Sequence, residues 1–117
     1  MPTSIQIVHE PIMLEDLRVI ARDQFGEMVK AVVDVAQGIM AIGGELHADE
    51  ETILLDQGSR QADLWGVNLY PEAPPPERLE FDSMINVRPA AGNRSRSVED
   101  PALRARIREI VDRLVRA

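Results

Sequence analysis

The chain has 117 residues, of which 44% are apolar, no cysteine, and a formal net charge of −7. That length and composition suit one hydrophobic core, and we read residues 1–117 as a single domain. The missing cysteines exclude disulfides, thiolate nucleophiles and cysteine-ligated metals. The acidic balance disfavours general nucleic-acid binding, because an acidic body repels phosphate.

The opening run Ile5-Gln6-Ile7-Val8 alternates and predicts a short strand that ends before Pro11. From Ile12 to Gln24 the apolar residues Leu14, Leu17, Ile20 and Ala21 recur three to four apart, which predicts an amphipathic helix closed near Gly26. Val29 to Val35 is short and β-branched, Gln37-Gly38 supplies turn chemistry, and Ile39 to Ile42 follows, so a hairpin is expected. Beyond Gly43-Gly44, the segment Asp49 to Gln57 is expected to form a short helix ending at Gly58. Leu64 to Tyr70 suits another strand, and Pro71, Pro74, Pro75 and Pro76 force an extended, non-helical crossing.

Leu79 to Arg88 alternates again, with Leu79, Phe81, Ser83, Ile85 and Val87 on one face and Glu80, Asp82, Met84, Asn86 and Arg88 on the other. Asp100-Pro101 is an N-cap followed by proline at the first helical position. Leu103, Ile107, Ile110, Val111 and Leu114 then mark one face of a last helix. The element order β-α-β-β-α-β-β-α predicts an α+β fold in two layers, a largely antiparallel sheet of about five strands with three helices packed on one side. No basic segment leads into a long apolar stretch, and no apolar run reaches membrane-spanning length. A soluble, cytoplasmic protein without a membrane partner is therefore expected.

With these elements placed, the chain resembles a family of small bacterial and archaeal proteins catalogued as a domain of unknown function. The resemblance rests on Met28 to Val35, on Gly38 to Glu51, on Leu64-Trp65-Gly66-Val67-Asn68, and on Phe81 to Asn86 running on to Gly92-Asn93-Arg94-Ser95-Arg96. It implies a single domain and carries over no activity, cofactor or catalytic residue.

Charge is segregated. Residues 1–86 hold 16 Asp/Glu against five Lys/Arg, whereas residues 87–117 hold eight Arg against four Asp/Glu. The basic tail can lie against the acidic body, against a twin subunit, or against an anion. The first candidate site follows: Arg88, Asn93, Arg94, Ser95 and Arg96 offer guanidinium forks, an amide and a hydroxyl suited to phosphate or carboxylate. Glu99 and Asp100 occupy the helix start that an anion would otherwise use, so recognition would fall to side chains, and a salt-bridged brace is the plainer expectation.

The second candidate is Glu45, His47 and Asp49, with Glu50 and Glu51, a mixture of oxygen ligands and one imidazole suited to a divalent metal. Acidic residues are also expected at a helix start for their own sake. The third is a sheet-face pocket in which Asp82 and Asn86 meet Asn68 from the neighbouring strand; an ordinary half-exposed sheet face is the alternative. No serine or histidine is paired as nucleophile and base, and no cofactor is implied.

These features fit a non-catalytic binding or regulatory module that forms a homodimer and takes a small anionic ligand or a protein partner, with nucleic acid disfavoured. The alternative is a small enzyme acting on a phosphorylated or carboxylated metabolite, with Arg88, Arg94 and Arg96 holding the anion and Asp82 or His47 moving a proton.

Overall fold

A computed structural model describes residues 5–117. Strand β1 (Gln6–Val8) leads through a two-residue strand β2 (Ile12–Met13) into helix α1 (Leu14–Asp23). Strands β3 (Val29–Asp34) and β4 (Ile39–Ile42) form the expected hairpin, and helix α2 (His47–Asp56) follows. The chain continues through β5 (Leu64–Leu69), β6 (Leu79–Glu80), helix α3 (Pro101–Leu114) and a last two-residue strand β7 (Val115–Arg116). Five strands make one antiparallel sheet in the order β1-β4-β3-β5-β6. The fold is α+β, this sheet with three helices, its two main layers being the sheet and the α1/α3 pair, and its radius of gyration is 13.0 Å.

Strand alternation decides which residues form the core. Val33 faces Met40 and Trp65 across the ladders, and Ala31 faces Ile42 and Val67. This set packs against Leu17 and Ala21 of α1 and Ile107, Ile110 and Leu114 of α3. Each fully buried aliphatic side chain here stabilises the fold by roughly 1.5–3 kcal/mol. The other face carries Val32, Ile39, Ala41 and Leu64, which pack against Leu54 of α2. The expectation that the helices share one side holds for α1 and α3, while α2 covers part of the opposite face. Val32 and Leu64 are as apolar as their neighbours on the first face, and that second stripe needs a helix of its own.

Local chemistry sets the helix ends. Asp100 accepts a hydrogen bond from the Ala102 N–H at 2.9 Å, and Pro101 occupies the first turn of α3. At α1, Asp16 Oδ2 accepts the Met13 N–H at 2.9 Å. Helix α2 starts at His47, two residues earlier than the acidic run suggests. The β2 and β7 strands pair in parallel, Ile12 with Val115 and Met13 with Arg116, tying the end of α3 to the beginning of α1.

The largest departure from expectation follows Glu80. The alternating stretch Leu79 to Arg88 stays in the sheet for two residues only, and a tight helical turn forms at Met84–Asn86. Ser83 Oγ closes that turn by accepting the Ile85 N–H at 3.3 Å. The Asn86 carboxamide then does what a strand backbone would do at the edge of β5. It accepts the Gly66 N–H at 2.8 Å and donates to the Gly66 carbonyl at 2.9 Å. Gly66 is required for close approach, because a Cβ there would stand 2.6 Å from both Cβ and Oγ of Ser83.

Candidate functional site

On the face that α2 only partly covers, a cleft of about 460 Å³ opens between the start of α2 and the segment from Glu80 to Ile85. Its floor is a row across three strands. Lys30 of β3 is in register with Asn68 of β5, and Asn68 with Glu80 of β6. Period-two alternation puts all three on one face, so the row runs cation, amide, anion. His47 and Leu46 come from the start of α2, Asp82 and Met84 from the chain beyond β6, Arg96 from the arginine-rich loop, and Tyr70 from the end of β5. Leu46 and Met84, 56% and 65% exposed, give the rim an apolar character.

The polar groups are mostly organised by one another. Asn68 Nδ2 donates to Glu80 Oε1 at 2.8 Å and to the Asp82 carbonyl at 3.2 Å, and the Tyr70 hydroxyl donates to the same Glu80 oxygen at 3.0 Å. Burial and that carboxylate raise the Tyr70 pKa above its ordinary value. Arg96 Nε donates to Asp82 Oδ1 at 2.6 Å. Asn68 Oδ1 is buried without a hydrogen bond of ordinary length among the described residues, while the Asn68 side chain bears on the His47 ring and raises its pKa.

His47 Nε2 lies 2.8 Å from the Val67 carbonyl. A carbonyl only accepts, so in the neutral ring Nε2 carries the proton and Nδ1 holds the free lone pair. Burial, reinforced by Lys30, lowers the pKa of His47 against the hydrogen bonds to Val67 and Asn68 and the Asp82 charge. The balance favours the neutral imidazole.

Beneath the cleft, Glu50 is fully buried, its Oε2 accepting the Gly44 N–H at 2.9 Å while Oε1 has no partner among the described residues. Burial pushes its carboxyl up to about 9, so it stands protonated at neutral pH. Gly44 permits this packing, since a Cβ there would meet Glu50 Cγ at 2.8 Å.

The arginine-rich loop is divided among several tasks. Asn93 is buried, donates through Nδ2 to the Asn86 and Ser97 carbonyls, both at 2.7 Å, and accepts the Glu99 N–H at 2.8 Å. Glu99 Oε2 accepts the N–H groups of Arg94 and Ser95 at 3.0 and 2.8 Å. Ser95, through its hydroxyl and its N–H, and then Arg94 hold the Glu99 carboxyl below the usual carboxylate range. The loop thus wraps a carboxylate of its own chain.

Arg88 points to the other end of β5. It donates to the Leu64 carbonyl at 2.5 Å, lies 4.6 Å from the centre of the Trp65 ring, and stands 3.6 Å from the Glu51 carboxylate. Desolvation lowers its pKa, and Glu51 opposes that shift. The Arg94 side chain is exposed. Of the residues expected to bind an anion, Arg96 alone lines the cleft.

The sheet-face group is brought together in part: Asn68 and Asp82 line the cleft, while Asn86 is buried behind it on Gly66. Among the metal candidates, His47 lines the cleft, and Glu45 and Asp49 are exposed. Among the described residues, no group of three or more His, Cys, Asp or Glu is placed to hold a metal ion. Also among the described residues, no helix is long and apolar enough to cross a membrane. Sequence reasoning missed Lys30, Tyr70 and Glu80 as site residues. The alternation in β3 and β5 carried the signal for Lys30 and Asn68, but only the strand register makes them neighbours.

Comparison with curated proteins and with solved structures finds no significant match. Residues 6–114 match the family described as "Protein of unknown function (DUF5674)". That match spans nearly the whole chain and includes every residue of the cleft, and the protein belongs to the DUF5674 family.

Proposed function

We propose that this chain acts as one non-catalytic binding or regulatory domain whose working surface is the cleft between α2 and the Glu80–Ile85 segment. The observation that carries this reading is the cleft itself, where Lys30, His47, Asn68, Glu80 and Arg96 converge from β3, α2, β5, β6 and the arginine-rich loop beside the exposed Leu46 and Met84. Small-ligand sites commonly combine apolar walls with a few convergent polar groups, as Leu46 and Met84 do here with His47 and Asn68.

Thermal-shift screening against amino acids, phosphates, nucleotides and divalent metals tests this, since a ligand that binds the folded state raises the melting temperature by mass action. The expected result is a shift from at least one class that is lost in Asn68→Ala. A shift of equal size in that variant places binding elsewhere. The sequence also fits self-association, and the outer edge of β1, paired to β4 on one side only, is the surface we assign to it. Gel filtration with light scattering tests the dimer; a monomer at every concentration removes it.

A second reading is a small enzyme acting on a phosphorylated or carboxylated metabolite. Its support is that His47, Asp82 and Arg96 share the one cleft. Turnover abolished by His47→Gln, with ligand affinity retained, would favour it over the binding module.

A further inference from the structure

We infer that the cleft takes a zwitterionic, amino-acid-like ligand, with an ammonium group at the Glu80 end, a carboxylate at the Lys30 end and an aliphatic body against Leu46 and Met84. This rests on the reading of the cleft as the binding surface and adds the chemical class of its occupant.

The charge order of the floor carries the argument. Lys30, Asn68 and Glu80 sit in register on three adjacent strands. Neighbouring strands lie about 4.8 Å apart, so the cation and the anion stand about 10 Å apart at their backbones, within side-chain reach of the two ends of one small molecule. The other charged pair in the cleft, Arg96 with Asp82, is closed on itself at 2.6 Å. Lys30 makes no ion pair among the described residues, its ammonium standing 5.1 Å from the centre of the Phe25 ring. Glu80 accepts from Asn68 and Tyr70 through Oε1, which leaves Oε2 for a further donor.

Both ends have support. Leu46, His47 and Ala48 at the start of α2 line the cleft, and the positive end of that helix's dipole adds to the field of Lys30. At the other end, the ammonium finds Glu80 Oε2. An inorganic anion could satisfy Lys30 but leaves Glu80 Oε2 without a donor. A simple amine leaves Lys30 and the helix start unanswered. A zwitterion answers all of them, and the volume of about 460 Å³ accommodates either a free amino acid or a short peptide.

The test is a titration of the full chain followed by NMR, using leucine, the dipeptide leucyl-leucine, N-acetyl-leucine and leucinamide. Leucine or the dipeptide is expected to shift the Asn68 side-chain amide, His47 and Met84. Blocking either end should weaken binding about tenfold or more, as should Glu80→Gln for the ammonium and Lys30→Met for the carboxylate. Melting curves of both variants check that they fold. Binding by leucine alone assigns a free amino acid, and binding by the dipeptide alone assigns a peptide. Blocked compounds that bind equally well overturn the proposal, as does failure of both zwitterions at millimolar concentration. A fragment library added to the same samples separates the two levels of the argument. If anionic or neutral fragments reach the cleft and zwitterions do not, the ligand class fails and the binding surface stands; if nothing reaches it, both fail.

Discussion

Along β3 and β5 the two faces of the sheet are one residue out of phase and physically opposite. Val29, Ala31, Val33, Val67 and Leu69 form a face at most 1% exposed, closed by two helices. Lys30, Val32, Gly66 and Asn68 form the other, where α2 closes one part and the cleft takes the rest. The first face is held by burial alone. The second is held by burial where Leu54 sits and by interlocking polar groups elsewhere, among them Asn86 on Gly66 and Asn93 on Asn86. A face maintained by directional bonds can leave room for a ligand without collapsing, because each polar contact fixes a distance. An aliphatic face must be filled.

The largest effect should come from the closed face. Ile110 is fully buried on α3, and Ile110→Ala removes three methyl or methylene groups from a face that cannot collapse around the gap. A loss of about 3–4 kcal/mol is expected in denaturant unfolding. A loss near 1 kcal/mol would show that this face is less closely packed than its burial implies.

On the open face, the next change should stabilise. Glu50 has its carboxyl pushed up to about 9 from an ordinary value of 4.5. Because the folded state holds that proton and the unfolded state releases it, the contribution to stability is complete below about 4.5 and declines as pH rises toward about 9. At pH 7 the penalty is about 3 kcal/mol. Glu50→Gln keeps an acceptor for the Gly44 N–H without the ionisation, so the variant should be more stable at pH 7, and its advantage should shrink toward pH 4. An advantage that is constant with pH would mean that Glu50 is ionised in the fold.

How much of this was legible in the sequence follows the same division. The closed face announces itself through aliphatic periodicity, in Leu14, Leu17 and Ala21 and again in Ile107, Ile110 and Leu114, so α1, α3 and the hairpin could be placed from pattern alone. The open face is built from contacts between residues distant in sequence. Asn86 reaches Gly66 across 20 positions and Lys30 is a neighbour of Asn68 across 38, and neither follows from local spacing. The strand expected from Leu79 to Arg88 failed for this reason. Its alternation is real, but Ser83 and Asn86 spend their side chains on backbone groups and turn the chain out of the sheet. Nor could the sequence tell Arg88 from Arg96, since burial beside Trp65 and Glu51 is decided by where β5 ends.

Gly66→Ala tests how rigid the interlocked part is. The added Cβ would stand 2.6 Å from Ser83 Cβ and Oγ, atoms held in place by the turn that Ser83 closes. A loss of about 1–3 kcal/mol is expected, smaller than for the closed face because the loop can yield by a few tenths of an ångström. Adding Ser83→Gly should recover part of it, and that coupling is the measurement that assigns the loss to this contact. Additive losses would point to β5 itself.

The smallest effect belongs to Arg96, and its smallness carries the information. The Arg96–Asp82 pair is short, at 2.6 Å, yet its side chains are 55% and 43% exposed, so solvent screens it. Arg96→Ala should change stability by less than about 1 kcal/mol. Arg88 gives the contrast: with its partner Glu51 it is 16% and 13% exposed, and Arg88→Ala would leave that carboxylate without its counter-charge and the Leu64 carbonyl without a donor. If the two substitutions proved equally costly, Arg96 would be bracing the fold as Arg88 does. If Arg96→Ala leaves stability unchanged while altering ligand affinity at the cleft, the side chain is kept for what binds there.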